Sequence, residues 1–167
     1  MTSHTIVVGL DESPSSRAAL AWAARHATLT RSVLRGVHVL DWPYGLDDAD
    51  VVSPGASGRL MTHDQIEALY RGRITRVFDE VDPRPDWLIQ FAHGEVARVL
   101  VHQAAEAELL VVGTREHVGL ERLLVGSVSH YCLSHARCPV VAVPAPSPWT
   151  EPPTSTPAVP LTSTSEQ

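Results

Sequence analysis

The chain contains no lysine and no asparagine: all thirteen of its basic residues are arginine. Schiff-base chemistry and the lysine-dependent phosphate loop GxxxxGK[ST] are therefore excluded. Any cation that meets a phosphate here must be an arginine, a metal or a protonated histidine. Cysteine is scarce as well, with two in 167 residues. With no secretion signal in view, Cys132 and Cys138 are expected as free thiols. His130 and His135 stand near them, but the spacing matches no compact zinc motif, and residues 130, 132 and 135 do not share one face of a helix. Positive charge is also short. A net charge of −6 argues against a nucleic-acid backbone or an anionic membrane as the main partner, since both select for basic surface. No apolar run approaches the roughly eighteen residues a membrane span needs, and a polar, acidic segment arrives within the first dozen positions. A cytoplasmic protein is the expectation.

What is present fits one folded domain: hydrophobic residues make up 44% of a chain long enough to bury a core. Thr5–Gly9 (TIVVG) reads as a buried parallel strand and Leu10-Asp11-Glu12 as the turn after it. Ser13 followed by Pro14 is a helix start, because the serine oxygen caps free amides and the fixed φ of proline suits the first helical position. That alanine-rich helix is expected over residues 14–28, and a second strand over 32–40, with Gly36 its weak point. Residues 41–60 carry two prolines, three glycines and three aspartates between positions 43 and 58 and read as a long acidic loop. Thr62 with Gln65 forms a capping-box pattern ahead of the clearest amphipathic helix in the chain, whose apolar stripe is Ile66, Leu69, Tyr70, Ile74, Val77, Phe78 and Val81. Pro83 and Pro85 end it. A third strand follows at 87–92. Gly94-Glu95 then opens a third helix, with Val96, Val99, Leu100 and Ala104 as its buried stripe.

The remaining stretch, residues 109–144, organises everything before it. The apolar run 109–112 ends at Gly113, a mixed loop leads to Gly126-Ser127-Val128-Ser129, a helix is expected over Ser127–His135, and a fifth strand over 139–143. At Gly126-Ser127 a helix begins whose first N–H groups have no partner within it, so free amides, the positive end of the helix dipole and two hydroxyls make an anion site, most naturally for phosphate. From Pro144 onward the composition changes, with seven of the thirteen prolines mixed with Ser and Thr. Residues 145–167 are therefore expected to be a disordered tail beyond a domain at 1–144. His38 and His102 are expected as satisfied core residues, and Trp22 and Trp87 as core packing.

Strands alternating with helices five times predict an α/β fold, a doubly wound five-stranded parallel sheet with helices on both faces. Such sheets bind ligands beyond the carboxyl ends of the strands, where strand order reverses. Two strands end alike, in VVG-Leu10-Asp11 and VVG-Thr114-Arg115. If they are neighbours, Gly9, Asp11, Gly113 and residues 126–129 meet in one crevice.

Here the chain resembles the universal stress proteins, through its opening VVGLDESPSSRAAL, the helix start at Gly94 and the ending VGSVSHYCLSHARCPVVAVP. The resemblance implies strand order 3-2-1-4-5, and an ATP site built on Gly, two residues, Gly, nine residues, Gly, then Ser or Thr. Gly113 and Gly126-Ser127 keep that spacing, but Glu116 stands where the middle glycine belongs. A glutamate there adds a side chain and a negative charge beside the phosphates, while Gly119 supplies flexibility three residues on and Arg115 offsets charge. Alternatively, Glu116 reaches a magnesium ion, or the loop has lost nucleotide binding. By the resemblance Asp11 meets the ribose or a metal, the backbone of Val39 meets adenine, and Gly113, Thr114, Arg115, Gly126, Ser127, Val128 and Ser129 hold phosphates. Each has a plainer use: Asp11 capping its own turn, Val39 as core, Ser127 and Ser129 satisfying helix amides. The last strand, with Val140, Val141 and Val143 between two prolines, is an open edge, and the resemblance implies a homodimer along it.

The function expected is a regulatory, dimeric ATP-binding protein of the stress response. A nucleotide-free dimer working through protein contacts is the alternative that Glu116 favours. A slow ATPase is a third reading, weakened because no catalytic set stands at a recognisable spacing. A flavodoxin-like carrier shares the topology, but no Ser/Thr/Gly-rich phosphate loop follows the first strand.

Overall fold

The computed structural model describes residues 4–41, 51–52, 60–81, 87–114 and 126–146. Five parallel strands, β1 (Thr5–Gly9), β2 (Val33–Leu40), β5 (Leu88–His93), β6 (Leu109–Thr114) and β7 (Val140–Pro144), form one sheet in the order β5-β2-β1-β6-β7. Counted along the chain, that is the expected order 3-2-1-4-5. Register pairs Val8 with Gly36 on one side and with Val111 on the other. The sheet is covered on both faces, as a parallel sheet requires. Alternation along the strands decides which side chains go where: Ile6, Val8, Leu34 and Val111 pack under α1 (Pro14–Thr30) and α2 (His63–Asp79). Val7, Val37, Val39, Leu110 and Val112 pack under α3 (Val96–Gln103) and α4 (Ser127–His135).

Local signals explain most element ends. Ser13 caps α1 through Ser16 N, with Pro14 in the first turn. The Thr62–Gln65 capping box of α2 is formed in both directions. Helix α1 runs two residues past the expected end and stops at Arg31, in left-handed conformation (φ 57°), whose N–H bonds the Ala27 carbonyl. Two further departures have physical reasons. Gly36 is no weak point in β2: a Cβ there would lie 2.5 Å from Leu10 Cδ1 and 3.2 Å from Phe78 Cε2, so packing on the α2 face uses the missing side chain. Within the stretch read as an uninterrupted loop, β3 (Val51–Val52) and β4 (Leu60–Met61) pair antiparallel, too short a pattern for period-two alternation to reveal.

His102 is exposed on α3 and is not a core residue, correcting its expected place; the buried positions of that helix are Ala97 and Leu100. Trp87 is buried against Phe78, and Trp22 stacks on His26 at the rim of the same cluster. Most of the expected tail, residues 147–167, lies outside the described residues.

Candidate functional site

Strands β1 and β6 are neighbours, and their crossovers depart to opposite faces, β1 into α1 and β6 toward α4. Their carboxyl ends therefore flank the switch point of the sheet, where a crevice must open. A cleft of about 170 Å³ is found there. Of the residues singled out from sequence, Gly9, Asp11, Val39, Gly113, Gly126, Ser127, Val128 and Ser129 line it. Thr114 ends β6 but does not border the cleft, and Arg115, Glu116 and Gly119 lie outside the described residues.

The wall built by the β1–α1 turn is closed on itself. The Asp11 carboxylate accepts from Ser13 N at 2.8 Å, the plainer use foreseen for it. Asp11 N in turn donates to Ser16 Oγ at 2.8 Å, and Ser16 N donates to Ser13 Oγ at 3.2 Å. Ser15 and Ser16 are buried and line the cleft with Ser13, and none of the three had been named as a site residue. The signal was present as the run Ser13-Pro14-Ser15-Ser16 directly after the first strand. That run is a helix cap and, at the same time, a serine-rich wall of the cleft.

Gly113 has a reason of its own to be glycine. A Cβ there would lie 2.7 Å from the Ser15 carbonyl carbon and 2.8 Å from Ser16 N, so the end of β6 meets the backbone of the first turn of α1. The close approach seats the end of β6 against the start of α1. Gly9 is less tight, its nearest neighbour being Leu100 Cδ1 at 3.1 Å.

The opposite wall is left open. Helix α4 starts after Gly126 with no side-chain cap; Ser129 is buried, and its hydroxyl donates to the Gly126 carbonyl at 2.9 Å, so that among the described residues no side chain serves the first-turn amides. These N–H groups border the cleft with the positive end of the dipole behind them. Among the described lining residues Asp11 is the only carboxylate, and no arginine is present. The chemistry offered is neutral donors for an anion and one carboxylate for hydroxyls or a cation. Among the described residues no group of three or more His, Cys, Asp or Glu could hold a metal on its own. Both cysteines are free; burial, and then the neighbouring Cys138, push the Cys132 thiol up to about 11, away from the reactive thiolate.

A doubly wound parallel sheet with a glycine- and serine-lined cleft at its switch point defines a class of α/β ligand-binding proteins. Residues 2–144 match the universal stress protein family, and the chain belongs to it. A universal stress protein of Mycolicibacterium smegmatis is 31% identical over 150 residues, covering 85% of this chain and 48% of the relative. The chain thus spans about half the length of the curated relatives it matches. A universal stress protein solved in complex with cAMP superposes with a TM-score of 0.58 at 24% identity, covering 87% of this chain and all of the other. One from Archaeoglobus fulgidus in complex with dAMP gives 0.56 at 21%, covering 86% and 99%. At those identities the likeness establishes the fold. Among the described residues no helix is long and apolar enough to cross a membrane.

Proposed function

We propose that this chain is a regulatory adenine-nucleotide-binding protein of the stress response, taking ATP and working in the cytoplasm as a homodimer joined along β7. The observation that carries this reading is the uncapped start of α4 bordering a cleft at the sheet's switch point. It is a neutral donor set suited to phosphate. The related proteins complexed with cAMP and dAMP support the adenine and first-phosphate portion of the ligand. Gly113, Thr114, Arg115 and residues 126–129 would hold the phosphates, and the Val39 backbone the base. A magnesium ion would be held chiefly by phosphate oxygens with Asp11, since the described protein groups do not form a cage. Such an ion neutralises phosphate charge. The exposed edge of β7 supports the dimer, with Val140, Val141 and Val143 half-buried on it.

Nucleotide released from denatured, otherwise untreated protein and measured by chromatography tests the reading: about one ATP per chain is expected. No release, followed by no binding in a titration with ATP and magnesium, overturns it. The second reading, a nucleotide-free dimer, is favoured by Glu116 at the middle glycine position. Glu116→Gly separates the two, because creation of ATP binding by that substitution would show the glutamate to be the block. Light scattering that finds a monomer at micromolar concentration sinks the dimer in both.

A further inference from the structure

His38 is only 6% exposed, on β2 at the border of the cleft, its ring between Tyr70 (centroids 5.6 Å apart, stacked) and Phe91 (5.7 Å, edge-on). Its Nδ1 lies 2.7 Å from the Leu10 carbonyl oxygen, and its Nε2 is buried with no hydrogen-bond partner among the described residues. A carbonyl only accepts, so Nδ1 carries the proton and donates. The carbonyl belongs to the Leu10–Asp11 peptide, whose N–H is the one that donates to Ser16 Oγ at 2.8 Å. One peptide unit at the cleft wall is thus gripped at both polar ends by side chains from two elements, β2 and α1. A buried histidine with one nitrogen left unsatisfied is costly, and the bond it does make is to the segment that aims Asp11.

We infer that His38 is a positioning residue: with Ser16 it clamps the Leu10–Asp11 peptide so that the Asp11 carboxylate faces the cleft, where it accepts from the hydroxyls of a bound ribose. Ser13 N occupies Oδ1 of that carboxylate, which leaves the second oxygen for a ligand donor. The inference rests on the nucleotide reading, and the test keeps the two apart. His38→Phe keeps a ring between Tyr70 and Phe91 and deletes the donor. Wild type and variant are titrated, without magnesium, with ATP and with 2′,3′-dideoxy-ATP, and exchange of the Asp11 amide is followed by NMR.

The variant should lose about tenfold in ATP affinity, the scale of one hydrogen-bonded contact, with less than about twofold change for the dideoxy analogue. Asp11 exchange should quicken about tenfold or more while the amides of β6 keep their protection. Equal losses for both ligands, no loss for either, or unchanged exchange at Asp11 would overturn the inference. Should the variant fail to fold, Ser16→Ala removes the other half of the clamp and carries the same affinity comparison. Wild-type protein that binds neither ligand would overturn the nucleotide reading and this use of the clamp, while quickened Asp11 exchange would still establish the clamp itself.

Discussion

The two strand ends that meet at the switch point are built from similar sequence, VVG-Leu10-Asp11 and VVG-Thr114-Arg115, yet the helix starts they lead to are finished in opposite ways. The first turn spends its polar groups on itself: Ser13 caps α1, Asp11 accepts from Ser13 N, and Ser16 accepts from Asp11 N. At the second, Gly126 brings no side-chain cap, and Ser129 turns its hydroxyl to a carbonyl. An amide already bonded within its own turn has little to offer a ligand, whereas an unserved one at a helix start has a full hydrogen bond and part of the dipole to give. The closed wall and the open wall of the cleft are thereby distinguished by where their donors point.

That contrast can be broken most severely at Gly113. Gly113→Ala drives a methyl into the backbone of Ser15 and Ser16, and because backbone cannot give way as a side-chain end can, stability should fall by about 2–3 kcal/mol in urea unfolding. Giving the open helix the cap that α1 already has sharpens the comparison instead. Gly126→Ser should weaken ATP binding about tenfold by calorimetry while raising the stability of the empty protein by a few tenths of a kcal/mol. Removing the existing cap is the reverse operation: Ser13→Ala should cost about 1 kcal/mol, with the transition midpoint as the readout. Gly72→Ala serves as the reference for a glycine with no contact to lose. It lies exposed within α2 with nothing within 4 Å of its Cβ position, so the substitution should stabilise by about 0.5–1 kcal/mol, and a loss there would undercut the packing account of Gly113.

Much of the frame was legible beforehand. The Thr62–Gln65 box, the Ser13-Pro14 start and the apolar runs are local signals, and each produced the element read from it. Strand order came through the resemblance rather than through periodicity. His38 was read as a satisfied core histidine. The structure bears out its burial but leaves Nε2 unpartnered, which no pattern in the chain reports. His102 lies two positions, about 200° of helix, past the buried Leu100, which puts it on the solvent side of α3. The three serines near the start of α1 are visible in the sequence, but that the end of β6 presses on the Ser15 and Ser16 backbone is not.

By itself the sequence determined which segments are the helices and the five strands of the main sheet, and that one helix starts at a glycine followed by serine, because these depend on residues within a turn or two of one another. Only the tertiary structure decided that Gly113 presses on the backbone of Ser15 and that His38 and Ser16 grip one peptide. Those contacts join residues about 100 and 28 positions apart, and they exist only once β1 has paired with β6 and β2 and fixed where each strand ends.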